Sequence, residues 1–229
     1  MKNVLLIGGS HGIGLSIVKE LQETHKIYVA SRTDEALSHH NIVHIEFDAT
    51  KDTLDITKLP EKIDGFVYCP GSINLKPFKM MGLTTFKEDM ELNFFSLVNV
   101  VKTIISKMDE GSSMVFFSTI AVGTGMPFHT SVAAAKGAIE GFAKSMAAEY
   151  APKIRVNVIA PSLVDTSLAK RLLNNDKKRE MMSERHPLKR VGNSEDIANS
   201  AVFLLSDKST WITGQIIGVD GGLSTLNIN

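Results

Sequence analysis

Lys136 stands near the start of the stretch "HTSVAAAKGAIEGFAKSMAAEY" at 129–150, whose alanine content predicts a helix. A lysine there is catalytic, ligand-binding or merely solvated, and its surroundings decide which. One turn earlier on the same face lies Val132, which can neither donate nor accept a proton. Residues able to do so are Asn93 in "ELNFFS", Ser118 and Thr119 at the end of "MVFFST", His129 seven residues before the lysine, and Ser131 beside the valine. Histidine titrates near neutral pH and serves as acid or base. An unactivated serine hydroxyl is a poor acid.

A second constellation opens the chain. In "VLLIGGSHGIGLSIVKEL", Gly8, Gly12 and Gly14 follow an apolar β-branched run and begin a helical pattern, with Ser10, His11 and Ile13 among them. Glycines so placed turn the backbone tightly and let it approach a pyrophosphate, while the helix N-terminus favours negative charge. The spacing is G-x-x-x-G-x-G, and its place in a strand–turn–helix unit predicts dinucleotide binding. The next strand ends "YVASRT", with Ser31 where an NAD site commonly carries an acid, and Arg32 after it. An arginine there suits a 2′-phosphate, so NADP(H) is expected over NAD(H), with His11 adding partial positive charge. Asp48, followed by Ala49 in "IEFDAT", either accepts from an adenine amino group or is a helix N-cap.

These residues need a scaffold. The 229 residues are 43% hydrophobic and 22% charged, as expected of one soluble domain with a sizeable core. Twenty-five basic residues balance twenty-five acidic ones, so no net field favours nucleic acid or an anionic membrane. One cysteine, Cys69, rules out an internal disulfide; the start "MKNVLLIGGS" is too short for a signal-peptide core, and a cytoplasmic location is expected. His39 and His40 form a pair without further spaced ligands, so no metal is expected.

Apolar runs alternate with helical patterns: "NVLLIG", "KIYVAS", "NIVHIEF", "GFVYCP", "SMVFFS", "IRVNVIA" and "QIIGVDGG" read as strands, with a long helical pattern around 84–108 and a helix after Glu195. Such alternation predicts a Rossmann-like α/β fold, a doubly wound parallel sheet between two helical layers, in a single domain over 1–229. The charged segment 166–190 reads as a mobile flap over a site. Trp211, Met181 and Met182 read as core or flap packing, the methionines also suiting an apolar substrate pocket, and "HPLKR" as a solvated charged face.

With these pieces in place the whole chain resembles the short-chain dehydrogenase/reductase family, close to its ketoacyl-reductase-like members. "GGSHGIG" is similar to the family's glycine motif and Asn93 to its helix asparagine. "IRVNVIAPSLVDT" is similar to the strand and loop that meet the nicotinamide, and "FLLSDKSTWITGQIIGVDGG" to its C-terminal strand region. The resemblance implies that Val164 and Thr166 contact the carboxamide, that Pro161 and Gly71 line the cofactor, and that Lys136 binds the nicotinamide ribose. It also implies a tyrosine four residues before that lysine as proton donor, where this chain has Val132. By the same alignment the carbonyl-polarising serine is Thr119, with Ser118 adjacent, and the turn after the fourth strand is altered to "YCPG".

Three accounts follow, of which a structural oligomer with vestigial cofactor binding is opposed by the intact glycine turn, Arg32, Lys136 and Thr166, leaving two functions. One is an NADP(H)-dependent oxidoreductase acting on a carbonyl, alcohol or activated alkene of an apolar small molecule, with His129, Ser131 or ordered water replacing the tyrosine. The other is a dinucleotide-binding sensor or partner subunit without turnover. Small residues at Ala133, Gly137, Gly141 and Ala148 allow close approach of a neighbour, and the resemblance implies a homo-oligomer, a tetramer or dimer.

Overall fold

A computed structural model describes residues 1–227. Seven strands form one sheet: β1 (Lys2–Ile7), β2 (His25–Ser31), β3 (Ile42–Glu46), β4 (Gly65–Tyr68), β5 (Ser112–Phe117), β6 (Ile154–Pro161) and β7 (Ile216–Val219). Their order is β3-β2-β1-β4-β5-β6-β7, and every neighbouring pair is parallel. Each strand coincides with one of the apolar runs. Burial on both faces is what requires those runs to be continuously apolar.

Alternate side chains of one strand feed two cores. Leu5 and Ile7 of β1 join Phe66, Phe116 and Val158 on one face, covered by α3 (Ser96–Ile104) and α5 (Thr130–Tyr150). Val4 and Leu6 join Val67, Val115 and Ile159 on the other, covered by α1 (Gly12–Leu21) and α7 (Ser194–Leu205). At about 25 cal/mol per Å² of apolar surface removed from water, these two layers supply the main driving force for the fold.

The predicted helix at 84–108 is interrupted. It comprises α2 (Leu83–Met90), a single wide π turn over Glu91–Phe95, then α3. Asn93 lies in the π turn, fully buried, where the wider winding displaces the backbone ladder. A short helix α4 (Ala121–Thr124) follows β5, and its residues were not recognised as helical.

Between β6 and α7, residues 166–190 hold one helix, α6 (Asp176–Glu184), capped by the Asn175 side chain on the Lys178 amide at 2.9 Å. This segment is less free of apolar packing than its charge suggests. Ala169, Leu173 and Val191 form a small core with Leu163, Leu172 and Met182. One ion pair, Arg179 to Asp165 at 2.8 Å, also ties α6 to the loop after β6, and both side chains are more than 40% exposed, at 43% and 44%. The packing expected of Met182 is found, but Met181 is exposed. Trp211 overturns its expectation outright, being 100% exposed at the turn before β7. A lone aromatic gives no periodic signal of where it points.

On α5, a Cβ at Gly141 would meet nothing within 4 Å, and Ala148 is exposed, so the small-residue strip is open there and not packed on the protein's own sheet. Among the described residues no helix is long and apolar enough to cross a membrane.

Candidate functional site

The strand order reverses between β1 and β4, and at the carboxyl ends of such strands an α/β sheet opens a crevice. Here that crevice is a cavity of about 1320 Å³, lined continuously from the glycine turn to Lys136 and on to the segment after Thr166.

One end is built by the turn between β1 and α1. Gly8 has φ +79° and Gly12 φ +52°, conformations that side-chain-bearing residues rarely adopt. A Cβ on Gly14 would run into the Gly8 carbonyl oxygen, so the helix closes on the strand only with glycine there. His11 occupies the N-cap of α1 without capping it; its Nδ1 shares a hydrogen bond with Ser10 Oγ at 3.0 Å. No acidic residue occupies the first turn, leaving the amide groups at Ile13 and beyond for an anion.

Ser31, at the end of β2, is buried; its hydroxyl donates to the Thr33 carbonyl at 2.8 Å and lies 3.1 Å from His44 Nε2. Thr33 in turn reaches Ser10 Oγ at 3.2 Å, which fixes the loop carrying Arg32 against the glycine turn. Arg32 itself is exposed along the crevice wall. Asp48 and Ala49 line the same end. The Asp48 carboxylate accepts from the Thr50 amide at 3.0 Å and hydroxyl at 2.8 Å, with Lys51 at 3.4 Å, and these bonds hold it below the usual carboxylate range. No helix begins directly after Asp48, so it is not a helix N-cap; its carboxylate closes a turn instead.

At the other end Lys136 is 7% exposed and its ammonium makes no hydrogen bond among the described residues. A Cβ at Gly71 would lie 3.2 Å from Lys136 Nζ and 3.3 Å from Asn93 Oδ1, so glycine is what lets the altered "YCPG" turn pass these two groups. Asn93 Oδ1 is buried without a partner. Desolvation lowers the Lys136 pKa to about 8, opposed by the Asp89 carboxylate, while burial pushes the neighbouring Cys69 thiol up to about 12, where it is neutral as Lys136 titrates. The side chain of Lys136 is buried but lines the crevice, and its ammonium together with the unpaired, buried Asn93 carbonyl fits a polar ligand or water that bonds both.

The surroundings of Lys136 contain residues that the sequence did not single out. Asp89 is fully buried and accepts from Ser72 Oγ at 2.5 Å, Asn74 Nδ2 at 2.7 Å and Ser131 Oγ at 2.6 Å. Asn93 Nδ2 donates to Ser72 Oγ at 2.9 Å and to the Asp89 carbonyl at 2.7 Å. A buried carboxylate needs such a set of donors and a countercharge. The Ser131 hydroxyl is thereby turned away from the crevice that it was expected to serve.

The remaining hydroxyls separate. Ser118 donates to Glu140 Oε1 at 2.5 Å, so its proton is committed to α5. Thr119 lies on the crevice wall, its Oγ1 accepting only a long bond from the Ala121 amide at 3.3 Å. His129 lies at the rim, at the N-cap of α5, its Nδ1 bonded to the Pro127 carbonyl at 2.7 Å. Val132 faces the crevice. Pro161, Val164 and Thr166 follow in order along its floor, and a Cβ on Gly12 would lie 3.4 Å from Thr166 Cγ2, which places Thr166 across the crevice at the glycine turn. The "HPLKR" run is not a solvated face throughout, since His186 is 3% exposed and lines the crevice. A charged run hides one inward residue where the chain turns sharply, here at Lys189 with φ 55°.

The family model described as enoyl-(acyl carrier protein) reductase matches residues 8–224. The chain is 33% identical over 243 residues to the 3-oxoacyl-[acyl-carrier-protein] reductase of Chlamydia trachomatis, covering 97% of each. Its structure is similar to a short chain dehydrogenase family protein from Francisella tularensis, at 29% identity and TM-score 0.91, over 99% of this chain and 100% of that one. It is also similar to ElxO with NADP bound, at 25% identity and TM-score 0.85, over 98% and 99% of the two chains.

Proposed function

The chain belongs to the short-chain dehydrogenase/reductase family, and from that premise we propose that it is an NADP(H)-dependent oxidoreductase. It moves a hydride between the nicotinamide and a carbonyl, alcohol or activated alkene. The observation that carries this reading is the single crevice joining an uncapped helix N-terminus to the Lys136 ammonium, which makes no hydrogen bond among the described residues. A cofactor supplies the hydride; the chain's own residues hold and orient it. Amides at the start of α1 receive the pyrophosphate and Arg32 the 2′-phosphate. Lys136 donates to the nicotinamide ribose, and the loop of Val164 and Thr166 meets the carboxamide. Thr119 polarises the substrate oxygen, and Asn93 with Lys136 holds a water.

Val132 in place of a tyrosine makes the proton donor atypical. General acid catalysis is worth roughly a hundred- to ten-thousand-fold, so its relocation changes the rate without removing hydride transfer. Residues 166–190 act as a lid, and Met182, Leu168 and Leu172 on the crevice suit an apolar substrate. The open strip on α5, exposed Phe95 and exposed Trp211 support a homo-oligomer, with α5 and α3 at one face and the β7 region at another. Val132 also favours a second reading, a dinucleotide-binding sensor or partner subunit.

Titration with NADPH and NADH, followed by a panel of ketones and enoyl thioesters, tests these readings. Tight NADPH binding with oxidation in the presence of a panel member is expected. Binding without oxidation establishes the sensor reading, and absence of binding refutes both.

A further inference from the structure

We propose that Ser162, backed by His186, is the proton-delivering group of this site. The proposal rests on the hydride-transfer reading above and assigns the donor that Val132 leaves open. Ser162 directly follows Pro161, whose carbonyl accepts from the Ile120 amide at 3.1 Å. Its backbone is thereby held beside the Thr119–Ile120 turn, where the substrate oxygen is polarised, and both Ser162 and His186 line the crevice.

The imidazole is fixed at both nitrogens. His186 Nδ1 lies 2.8 Å from the Met182 carbonyl, and a carbonyl only accepts, so Nδ1 carries a hydrogen. In the neutral ring Nε2 is then the acceptor, and Ser162 Oγ lies 2.8 Å from it. This is the arrangement in which a histidine activates a hydroxyl. Asp220 is the charged group behind the ring: its carboxylate is stabilised by the Gly222 and Ser224 amides at 2.8 and 2.9 Å and, more weakly, by the charge of His186. Gly221, at φ +63°, lies in ordinary van der Waals contact with the ring, a Cβ there reaching it at 3.6 Å. Arg185, also on the crevice, is the nearest charged neighbour along the chain.

The competing donors are spent elsewhere. Ser131 and Ser72 direct their protons to fully buried Asp89, Ser118 to Glu140, and Nδ1 of His129 is bonded to Pro127 at the rim. Two other crevice serines face a histidine, Ser10 with His11 and Ser31 with His44, but both stand at the glycine-turn end, whereas Ser162 pairs with His186 next to Pro161 and the Thr119–Ile120 turn.

In reduction, the hydride of the reduced nicotinamide adds to the carbonyl carbon and the C=O π pair moves to oxygen. That oxygen takes the Ser162 Oγ proton, and Oγ recovers a proton from Nε2 of the His186 imidazolium. Neutral imidazole remains and regains its proton from bulk solvent, relayed through crevice water, so that one proton from the medium is consumed for each carbonyl reduced. Oxidation of an alcohol runs the same transfers backwards, with neutral His186 as the final base. Ser162 is thus the catalytic residue and His186 a positioning and relay residue acting through it.

The test uses the full chain and the panel compound that it reduces fastest. Ser162→Ala and Ser162→Gly should each lower kcat at least tenfold with NADPH affinity unchanged. His186→Ala should lower it similarly, the double variant should be no slower than either single one, and added imidazole should restore His186→Ala but not Ser162→Ala. Either Ser162 variant turning over at the wild-type rate overturns the proposal while leaving the oxidoreductase reading intact. Failure of the wild type to oxidise NADPH with any compound overturns both.

Discussion

Lys136 concentrates the chemistry of this chain into one titration. Its folded pKa, about 8, lies below the ordinary 10.5, so folding disfavours its charged form. Below about pH 8 both folded and unfolded chains are protonated, and the full desolvation cost is carried. Between about 8 and 10.5 the folded chain sheds the proton and the cost lifts, so this group makes the ligand-free protein more stable as pH rises through that window. Ligand binding has the opposite sign, since the ammonium is the donor. NADPH affinity should fall above about pH 8, and in Lys136→Met binding should be weaker with that limb gone, as titrations across pH 6–10 would read. Arg32→Ala should weaken NADPH at least tenfold and leave NADH nearly unchanged; equal losses would remove the 2′-phosphate role. The glycine turn was legible because Gly8, Gly12 and Gly14 between an apolar run and a helical pattern have a direct mechanical meaning, whereas the role proposed for Lys136 came only with the family resemblance. Asp89 and His186 were not legible, since a carboxylate in "FKEDME" and an imidazole in "RHPLKR" look solvated until tertiary packing buries them.

At the scale of elements, the seven strands could be read because burial on both faces leaves continuous apolar runs, a pattern independent of their partners. The π turn at Glu91–Phe95 could not, because "ELNFF" keeps helical periodicity while the ladder slips by one residue. The start of α7 has a local cause. Asn193 and Asp196 form a reciprocal capping box, each side chain bonded to the other's amide at 2.8 Å, and Arg190 grips the same carboxylate at 2.6 and 2.7 Å. Asn193 is exposed, so Asn193→Ala removes the cap without touching the core. It should cost about 1 kcal/mol, roughly 2–4 °C in Tm for a chain of this size, as calorimetry would show. Because α7 packs beside α1, the cap also steadies the helix whose N-terminus is proposed to hold the cofactor.

For the whole molecule, the sole tryptophan is a reporter placed outside the core. If the β7 face closes a homo-oligomer, Trp211 is covered there, and its emission should shift to the red on dilution in step with a fall in mass by light scattering. A solvent-exposed spectrum at every concentration would exclude that face from assembly. The segment over the crevice has a different kind of boundary. It is held by a few apolar side chains and by Arg179 and Asp165, a pair open to water. Between 0.1 and 1 M salt the distance over which such charges feel each other shrinks from about 10 to about 3 Å. Under the proposed lid role, added salt therefore loosens this segment by weakening that pair. A turnover limited by release of product quickens as salt is added, and one limited by the transfer of hydrogen stays where it was.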